Sequence, residues 1–470
     1  ACRRSGKPSS ISSHGLRPCD ALIVKCSSRK PINQKCQSSA SYIGYGNQLR
    51  EHFDDDSLLA ATAVGQIVRS RLRDAKTRGE ADPVQKRAFL LYQFKRREEI
   101  DLLRSVYGRL FFQVSLYSRR GARVDYLSRK FATSENFYAA QRYRDRAERL
   151  IEDDENEAEE KHGQRVAKIF HDGDFIVSLD SPTTSDDQVS RFCELIFSSN
   201  QISPTKIEYG MFLAKAAALR TLDLSRQVGA AIFSDAGEVL SLGSNEVPKA
   251  GGGTYWCEDA HDDREFKRGH DSNDQRKREI LSELVKHIAP EADLDTVLRI
   301  PAVADSQFMD ALEYGRIVHA EMSAISDAAR LGRSTKDAVL YCTTFPCHMC
   351  AKHIVAAGVK EVVFLEPYPK SLASSLHADS LLIEQGDRGR FQENPYVSFK
   401  HFYGISPRRY REFFERGKRK DSTGAYIQYP YGTPEPFIRV NFPYYQRNEA
   451  EVLKFLRFAT EDVFSFDDKG

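Results

Sequence analysis

The spacing of hydrophobic residues predicts alternating helices and strands from residue 206 onward. Residues 209–223 form an alanine-rich run that favours a helix. Short apolar runs bounded by turn residues predict strands at 227–233, 238–242, 338–342 and 361–365. Two further helices are predicted at 323–331 and 346–358. The order α-β-β-α-β-α-β predicts a sheet covered by helices.

The earlier part of the chain shows a looser alternation of the same kind. Helices are predicted at 57–71, 96–107 and 189–197, and strands at 87–92, 110–116 and 175–179. This pattern predicts a parallel α/β domain at 41–205. Residues 1–40 are rich in Ser, Lys and Arg and are predicted to be a basic, poorly ordered tail. A length of 470 residues agrees with a second domain at 206–470, which carries an insertion at 249–318.

The composition limits which binding partners and which cellular compartment are expected for the protein. The formal net charge is only +2, so no global field attracts nucleic acid and any basic site must be local. No apolar run is long enough for a transmembrane helix, and no signal peptide is recognised. Reduced thiolates suit the cytoplasm, which is the expected location.

The most informative chemistry lies in two short motifs of the second domain. His319 and Glu321 form an H-A-E element, and Cys347 and Cys350 form a C-x-x-C element that directly follows Pro346. One histidine and two cysteines make three zinc ligands and leave a fourth position open, as in a catalytic zinc site. This combination is the signature of zinc-dependent nucleobase deaminases.

Both motifs are predicted to lie at the beginnings of helices. The positive end of the helix dipole favours thiolates at Cys347 and Cys350. Glu321 is not needed as a ligand, so it is predicted to carry protons for a zinc-activated water. A C-x-x-C pair alone is also compatible with a redox pair or half of a structural zinc site. His348 and His353 lie beside the pair, but neither replaces the H-A-E element.

Residues 206–420 resemble the deoxycytidylate deaminases. The similarity lies in the two zinc motifs, in 225–232 and 243–248, in Tyr368, and in the G-I-S-P stretch within 402–410. The resemblance implies a cytidine-deaminase-like α/β/α sandwich that binds Zn2+. It also implies that Asn245, Arg226 and Tyr368 contact the substrate, with Asn245 on the sugar. Family members commonly assemble, so a homo-oligomer is expected.

The domain at 41–205 is similar to a degenerate P-loop-kinase-like fold. Residues 4–10 echo a phosphate-binding loop, but Pro8 stands where Ser or Thr should follow the lysine, so phosphoryl transfer is not expected. The two domains together resemble the bacterial anti-phage cytidine deaminases, which deplete deoxycytidine nucleotides. In that family a small RNA can be the controlling partner. An arginine-rich stretch at 119–129 is compatible with RNA or with a nucleotide phosphate.

The insertion at 249–318 departs from the simple family pattern. Gly251, Gly252 and Gly253 are compatible with a flexible lid, a phosphate-binding loop or an ordinary turn. Cys257, His261 and His270 are candidate ligands of a second zinc, although their spacing matches no strong pattern.

The sequence therefore predicts zinc-dependent hydrolytic deamination of free deoxycytidine nucleotides, either dCMP or dCTP. One alternative is a deaminase of RNA or single-stranded DNA, which would need an open basic groove with aromatic platforms. A second alternative is a non-enzymatic binding protein that keeps zinc for structure. Glu321 argues against the second alternative, because a structural zinc site has no use for it.

Overall fold

The computed structural model describes residues 22–24, 38–78, 87–156, 161–368, 371–384, 386, 388–415, 417, 419–429, 436–438 and 444–464. The predicted basic tail, including the loop-like residues 4–10, lies outside the described residues except for 22–24 and 38–40. Among the described residues, no helix is both long enough and apolar enough to cross a bilayer.

Helices and strands alternate along the described chain. The α-helices are α1 (Ser38–Phe53), α2 (Leu58–Arg78), α3 (Arg97–Tyr107), α4 (Arg120–Ser134), α5 (Arg144–Asn156), α6 (Val166–Ile169), α7 (Ser185–Ile196), α8 (Lys206–Ala218), α9 (Glu265–Arg268), α10 (Ser272–Ile288), α11 (Leu294–Leu298), α12 (Pro301–Ala304), α13 (Ala320–Arg330), α14 (His348–Ala356), α15 (Ala373–Leu376), α16 (Tyr410–Phe414) and α17 (Tyr445–Phe464). The strands are β1 (Leu22–Val24), β2 (Phe89–Leu91), β3 (Val114–Tyr117), β4 (Phe175–Ser178), β5 (Gly229–Phe233), β6 (Val239–Ser244), β7 (Val339–Thr344), β8 (Glu361–Glu366), β9 (Leu381–Ile383), β10 (Val397–His401) and β11 (Gly404–Ile405).

The chain divides into two compact units. Unit 1 comprises residues 1–112, 123–170 and 438–470, and unit 2 comprises residues 113–122 and 171–437. This division differs from the predicted boundary between residues 205 and 206. Residues 171–205 join unit 2 because β4 pairs with β3 on one side and with β11 on the other.

Unit 2 is built on a six-stranded sheet with the order β6-β5-β7-β8-β10-β9. Strand β5 runs antiparallel to both of its neighbours, whereas β7, β8, β10 and β9 are parallel to one another. All five residues of β5 are buried, as expected of a strand that is covered on both faces. The predicted order α-β-β-α-β-α-β is confirmed, and unit 2 is a mixed α/β structure.

Glycines allow helices to approach both faces of this sheet closely. A Cβ atom on Gly229 would lie 2.0 Å from the backbone oxygen of Ala214 in α8. A Cβ atom on Gly243 would lie 2.1 Å from the backbone oxygen of Ala320 in α13. Gly243 pairs with Ala230, so these two residues face the same side of the sheet. Gly229 precedes Ala230 in β5 and therefore faces the opposite side. Helix α8 therefore covers one face and α13 covers the other.

Unit 1 is mainly helical in its described part. Helices α2, α3 and α17 share a core that includes Val64, Leu103 and Val452. Arg71 of α2 forms a buried ion pair with Glu449 of α17. The described strands of this unit are the parallel pair β1 and β2. Within the range 41–205, for which a parallel α/β domain was predicted, unit 1 contains only β2 among the described strands. The parallel pair that lies wholly within this range, β3 and β4, belongs to unit 2.

Candidate metal centre and active-site cavity

Two helix beginnings bring the zinc motifs together. His319 is the residue before α13, and its extended backbone (φ −62°, ψ 153°) allows its carbonyl oxygen to accept a hydrogen bond from Ser323 N at 2.8 Å. Cys347 holds the same position before α14, and its sulfur accepts a hydrogen bond from Cys350 N at 3.4 Å. The prediction that both motifs lie at helix beginnings is confirmed, although α13 starts three residues earlier than predicted.

The three predicted ligand side chains form one compact group. The Nδ1 atom of His319 lies 3.3 Å from the sulfur of Cys347 and 3.3 Å from that of Cys350. All three ligand atoms lie within 4.8 Å of one another. One nitrogen and two sulfur donors suit zinc, and three protein ligands leave a position for water. The donor set therefore fits Zn2+.

A second zinc group is not formed by the insertion in the part of the chain that the structure describes. Groups of three or more His, Cys, Asp or Glu side chains close enough to share an ion are limited there to the one at His319. Cys257, His261 and His270 are all exposed and do not converge on a common point.

The two thiols of the group differ in their acidity. The pKa of Cys347 is lowered to about 4, because the Cys350 thiol donates a hydrogen bond to it and His319 lies beside it. The pKa of Cys350 is raised well above its usual value by that same hydrogen bond and by burial. Zinc binds cysteine as thiolate, so zinc binding would remove the proton that Cys350 donates to Cys347.

Glu321 lies directly beside the ligands without being one of them. Its side chain is buried in the first turn of α13, with the residue only 4% exposed, and the Cys350 sulfur lies 3.5 Å from its Oε2 atom. Burial raises the pKa of this carboxyl group above its usual range. A buried carboxyl group in this position can both accept protons and return them beside the metal group.

An open cavity with a volume of about 300 Å³ leads to this group. His319, Glu321 and Cys347 line it together with the three predicted substrate residues Asn245, Arg226 and Tyr368. The Arg226 guanidinium lies over the Tyr368 ring, 5.4 Å from its centroid. The structure thus gathers every predicted site residue except Cys350 in the lining of one cavity, and Cys350 lies buried directly behind it.

The side-chain amide of Asn245 forms hydrogen bonds to the neighbouring loop. Its Oδ1 atom accepts a hydrogen bond from Val228 N at 2.7 Å, and its Nδ2 atom donates to Arg226 O at 2.8 Å and to Asp223. Thr221 also donates to the carbonyl oxygen of Asn245. The loop that carries Arg226 is therefore fixed to the end of β6.

The insertion forms one wall of the cavity, and this contribution was not predicted from the sequence. Its lining residues include Glu265, Asp271, Ser272, Asn273, Asp274, Lys277, Asp310 and Arg316. Helix α10 was predicted at 278–287 but begins at Ser272, because the Asp271 side chain accepts a hydrogen bond from Asp274 N. That Asp-x-x-Asp cap was the available signal for the earlier start. The glycines at 251–253 adopt φ values of +92°, +98° and +75° and do not line the cavity.

Comparisons with known proteins agree with the geometry of the metal group. Residues 204–366 match the family model for the cytidine and deoxycytidylate deaminase zinc-binding region. The deoxycytidylate deaminase of Enterobacteria phage T4 is 46% identical over 54 residues, which is 12% of this chain and 28% of that protein. The deoxycytidylate deaminase of Homo sapiens is 28% identical over 158 residues, 34% of this chain and 63% of that protein. The chain therefore spans less than two thirds of either relative.

Among solved structures, similarity is found to the dCMP deaminase from the cyanophage S-TIM5 in complex with dCMP and dUMP. The sequence identity is 18% and the TM-score is 0.23, with 42% of this chain and 99% of that chain covered. The family match rests on the sequence of 204–366. That segment contains a zinc-binding region of the cytidine and deoxycytidylate deaminase type.

Proposed function

We propose that this protein hydrolytically deaminates free deoxycytidine nucleotides in a zinc-dependent reaction. The observation that carries the proposal is the His319, Cys347 and Cys350 group with Glu321 beside it at the base of an open cavity. A structural zinc site would not need a buried carboxyl group that is left out of the ligand set. The relatives named deoxycytidylate deaminase support the same chemistry.

The reaction needs a nucleophile and a group that moves protons. His319, Cys347 and Cys350 would hold zinc, which when bound supplies a water molecule of lowered pKa. Water adds to C4 of cytosine, the C4–N4 bond breaks, and ammonia leaves as the C4 carbonyl forms. Glu321 accepts a proton from the attacking water and delivers it to N3, and it then moves the proton of the new C4 hydroxyl group to the departing amine.

The remaining predicted site residues would orient the substrate. An amide oxygen has two lone pairs, and Asn245 Oδ1 accepts one hydrogen bond from within the protein. Its second lone pair can accept a hydrogen bond from a sugar hydroxyl. Arg226 and Tyr368, which stack at the cavity, would flank the base or the sugar.

The charge of the insertion wall favours a free nucleotide over a polynucleotide. Asp271, Asp274 and Asp310 line the cavity around one buried cation, Lys277, so a row of phosphates on a nucleic-acid strand, unlike a single phosphate, would face mainly carboxylates. Proteins that bind single strands combine a positively charged groove with stacking aromatic side chains. The carboxylates make the cavity poorly suited to that arrangement.

The wider biological role is part of the same proposal. A kinase-like regulatory domain, depletion of nucleotides in anti-phage defence, control by a small RNA or nucleotide, homo-oligomerisation and a cytoplasmic location all follow from the family resemblance. Within the arginine-rich stretch, Arg119 contacts Asp180 at 3.2 Å and Arg123 contacts Glu155 at 2.7 Å. These pairs reduce the positive charge that the stretch can offer to a phosphate backbone.

Turnover of purified, zinc-loaded protein tests the function directly. We expect ammonia release from dCMP or dCTP, and we expect Glu321→Gln to lower it by about 100- to 10,000-fold while zinc content stays unchanged. Glu313→Gln, an exposed residue of the insertion that does not line the cavity, is the matched control and should retain full activity.

Other outcomes distinguish the alternatives. Activity on a cytosine-containing oligonucleotide alone would replace the proposal with a nucleic-acid deaminase. No turnover of dCMP, dCTP, CMP, cytidine or the oligonucleotide would favour a zinc-containing binding protein. Undiminished activity of Glu321→Gln would remove this residue from the mechanism.

A further inference from the structure

Lys277 is a buried cation in the wall of the active-site cavity. It belongs to α10 of the insertion, is only 5% exposed and lines the same cavity as His319 and Glu321. Its ammonium group donates to Met309 O at 2.7 Å and contacts Asp274 Oδ1 at 2.8 Å. The carboxylate partner is itself 69% exposed, so water screens this ion pair.

These partners leave the ammonium group incompletely compensated. An ammonium has three N–H donors, and the contacts of Lys277 with Met309 O and Asp274 Oδ1 account for two of them. Burying a charge is costly unless it is paired and fully hydrogen-bonded. An anion in the cavity would supply the missing acceptor and a second negative charge beside that of the exposed Asp274.

The other ions of this wall are already engaged with one another. Arg316 donates to Asp263 O at 2.8 Å, contacts the Asp263 carboxylate at 3.2 Å and lies 3.8 Å from Glu265. Both carboxylate oxygens of Glu265 accept a hydrogen bond from the Ser272 hydroxyl at 2.9 Å. Asp271 accepts from Asp274 N at the beginning of α10. Lys277 is therefore the buried cation of this wall whose one carboxylate partner is largely exposed to water.

We propose that Lys277 binds the phosphate group of the substrate, so that the insertion selects a nucleotide over a nucleoside. The identity of the ligand rests on the proposed function, whereas the role of Lys277 rests on its burial and its place in the cavity. The cavity volume of about 300 Å³ is at the lower end of the range of about 300–1,000 Å³ for small-molecule sites. Both this size and the presence of one buried lysine in the insertion wall favour one phosphate over three.

The test compares dCMP with deoxycytidine, which lacks the phosphate. We expect Lys277→Met to lower kcat/KM for dCMP by about 10- to 100-fold, the effect of losing a hydrogen bond to a charged group. Deoxycytidine turnover should not change, and Lys277→Arg should restore much of the dCMP activity. Lys286→Met, on the exposed part of the same helix, is the control and should behave as wild type.

Binding of the product dUMP provides a readout that does not depend on turnover. Titration of dUMP and deoxyuridine should show a preference for dUMP in the wild type that Lys277→Met removes. An equal loss of affinity for both ligands, or no loss for either, would overturn the role of Lys277. Lys277→Gln keeps a donor for the Met309 carbonyl oxygen. It gives the same comparison if the Lys277→Met variant fails to fold.

The two proposals can fail separately. A wild-type protein that binds dUMP through Lys277 but deaminates no substrate would contradict the proposed function alone. A wild-type protein that deaminates deoxycytidine and dCMP equally well would contradict the role of Lys277 alone.

Discussion

Glu246 connects three parts of unit 2 from a fully buried position. It is 1% exposed and accepts hydrogen bonds from Leu222 N at 3.0 Å, Val247 N at 2.9 Å and the Arg264 guanidinium at 3.3 Å. Its backbone also pairs with Val318, the residue before His319. One carboxylate thereby links the insertion, the loop before β5 and the approach to the metal group.

Arg264→Met should destabilise unit 2, because it removes the only cation among these contacts of Glu246. Two backbone N–H groups would remain, so we expect a loss of about 1–3 kcal/mol in the free energy of unfolding. Urea denaturation monitored by circular dichroism measures this change in the free energy of unfolding. Arg268→Met removes an exposed arginine nearby and should leave the midpoint unchanged. Equal effects of both substitutions would contradict the role of the buried pair.

The metal group could be predicted from the sequence because its determinants are local. Cys347 and Cys350 are three residues apart at a helix beginning, and His319 and Glu321 are two residues apart at another. The cavity wall could not be predicted in the same way. Lys277 reaches the cavity only through the packing of α10, and charged residues in a polar insertion carry no periodic signal of burial.

At the scale of elements, the closeness of α13 to β6 sets the position of the metal group. Gly243 permits this contact, since a Cβ atom there would lie 2.1 Å from Ala320 O and 2.5 Å from Ala324 N. His319 and Glu321 lie at the end of α13 that rests on this glycine. A displacement of the helix would therefore carry both side chains away from the cysteines.

Gly243→Ala should lower zinc content and turnover together. We also expect a stability loss of about 1–3 kcal/mol from overpacking. Zinc analysis of the purified variant and its thermal unfolding would show both effects. Gly121→Ala is the control, because nothing lies within 4 Å of a Cβ atom at that position in α4. Full zinc content in Gly243→Ala would show that the sheet and α13 can separate without disturbing the site.

At the scale of the whole molecule, unit 1 depends on the last described helix of the chain. Glu449 of α17 pairs with Arg71 of α2, and the Arg71 guanidinium also lies 5.2 Å from the centroid of the Tyr445 ring. Both side chains of the ion pair are buried. The sequence predicted α2 from its own pattern, but no local signal shows which distant helix completes its surface.

Glu449→Ala should destabilise unit 1 by about 3–5 kcal/mol, because it leaves Arg71 buried without its partner. Glu451→Ala is the control on the same helix, since Glu451 is exposed and its pair with the exposed Lys454 is screened by water. Hydrogen exchange of α2 amides would locate the effect. Unchanged protection of α2 in Glu449→Ala would contradict the structural role of the pair.

The division of unit 1 into separate chain segments has a consequence for biosynthesis. Arg71 and Glu449 are 378 residues apart in the sequence. Because ribosomes add about 5–20 residues per second, Glu449 is synthesised roughly 20 to 75 seconds after Arg71. Unit 2 is complete once residue 437 has been translated. Unit 2 can therefore fold on the ribosome first, and unit 1 is completed only after Glu449 has been translated.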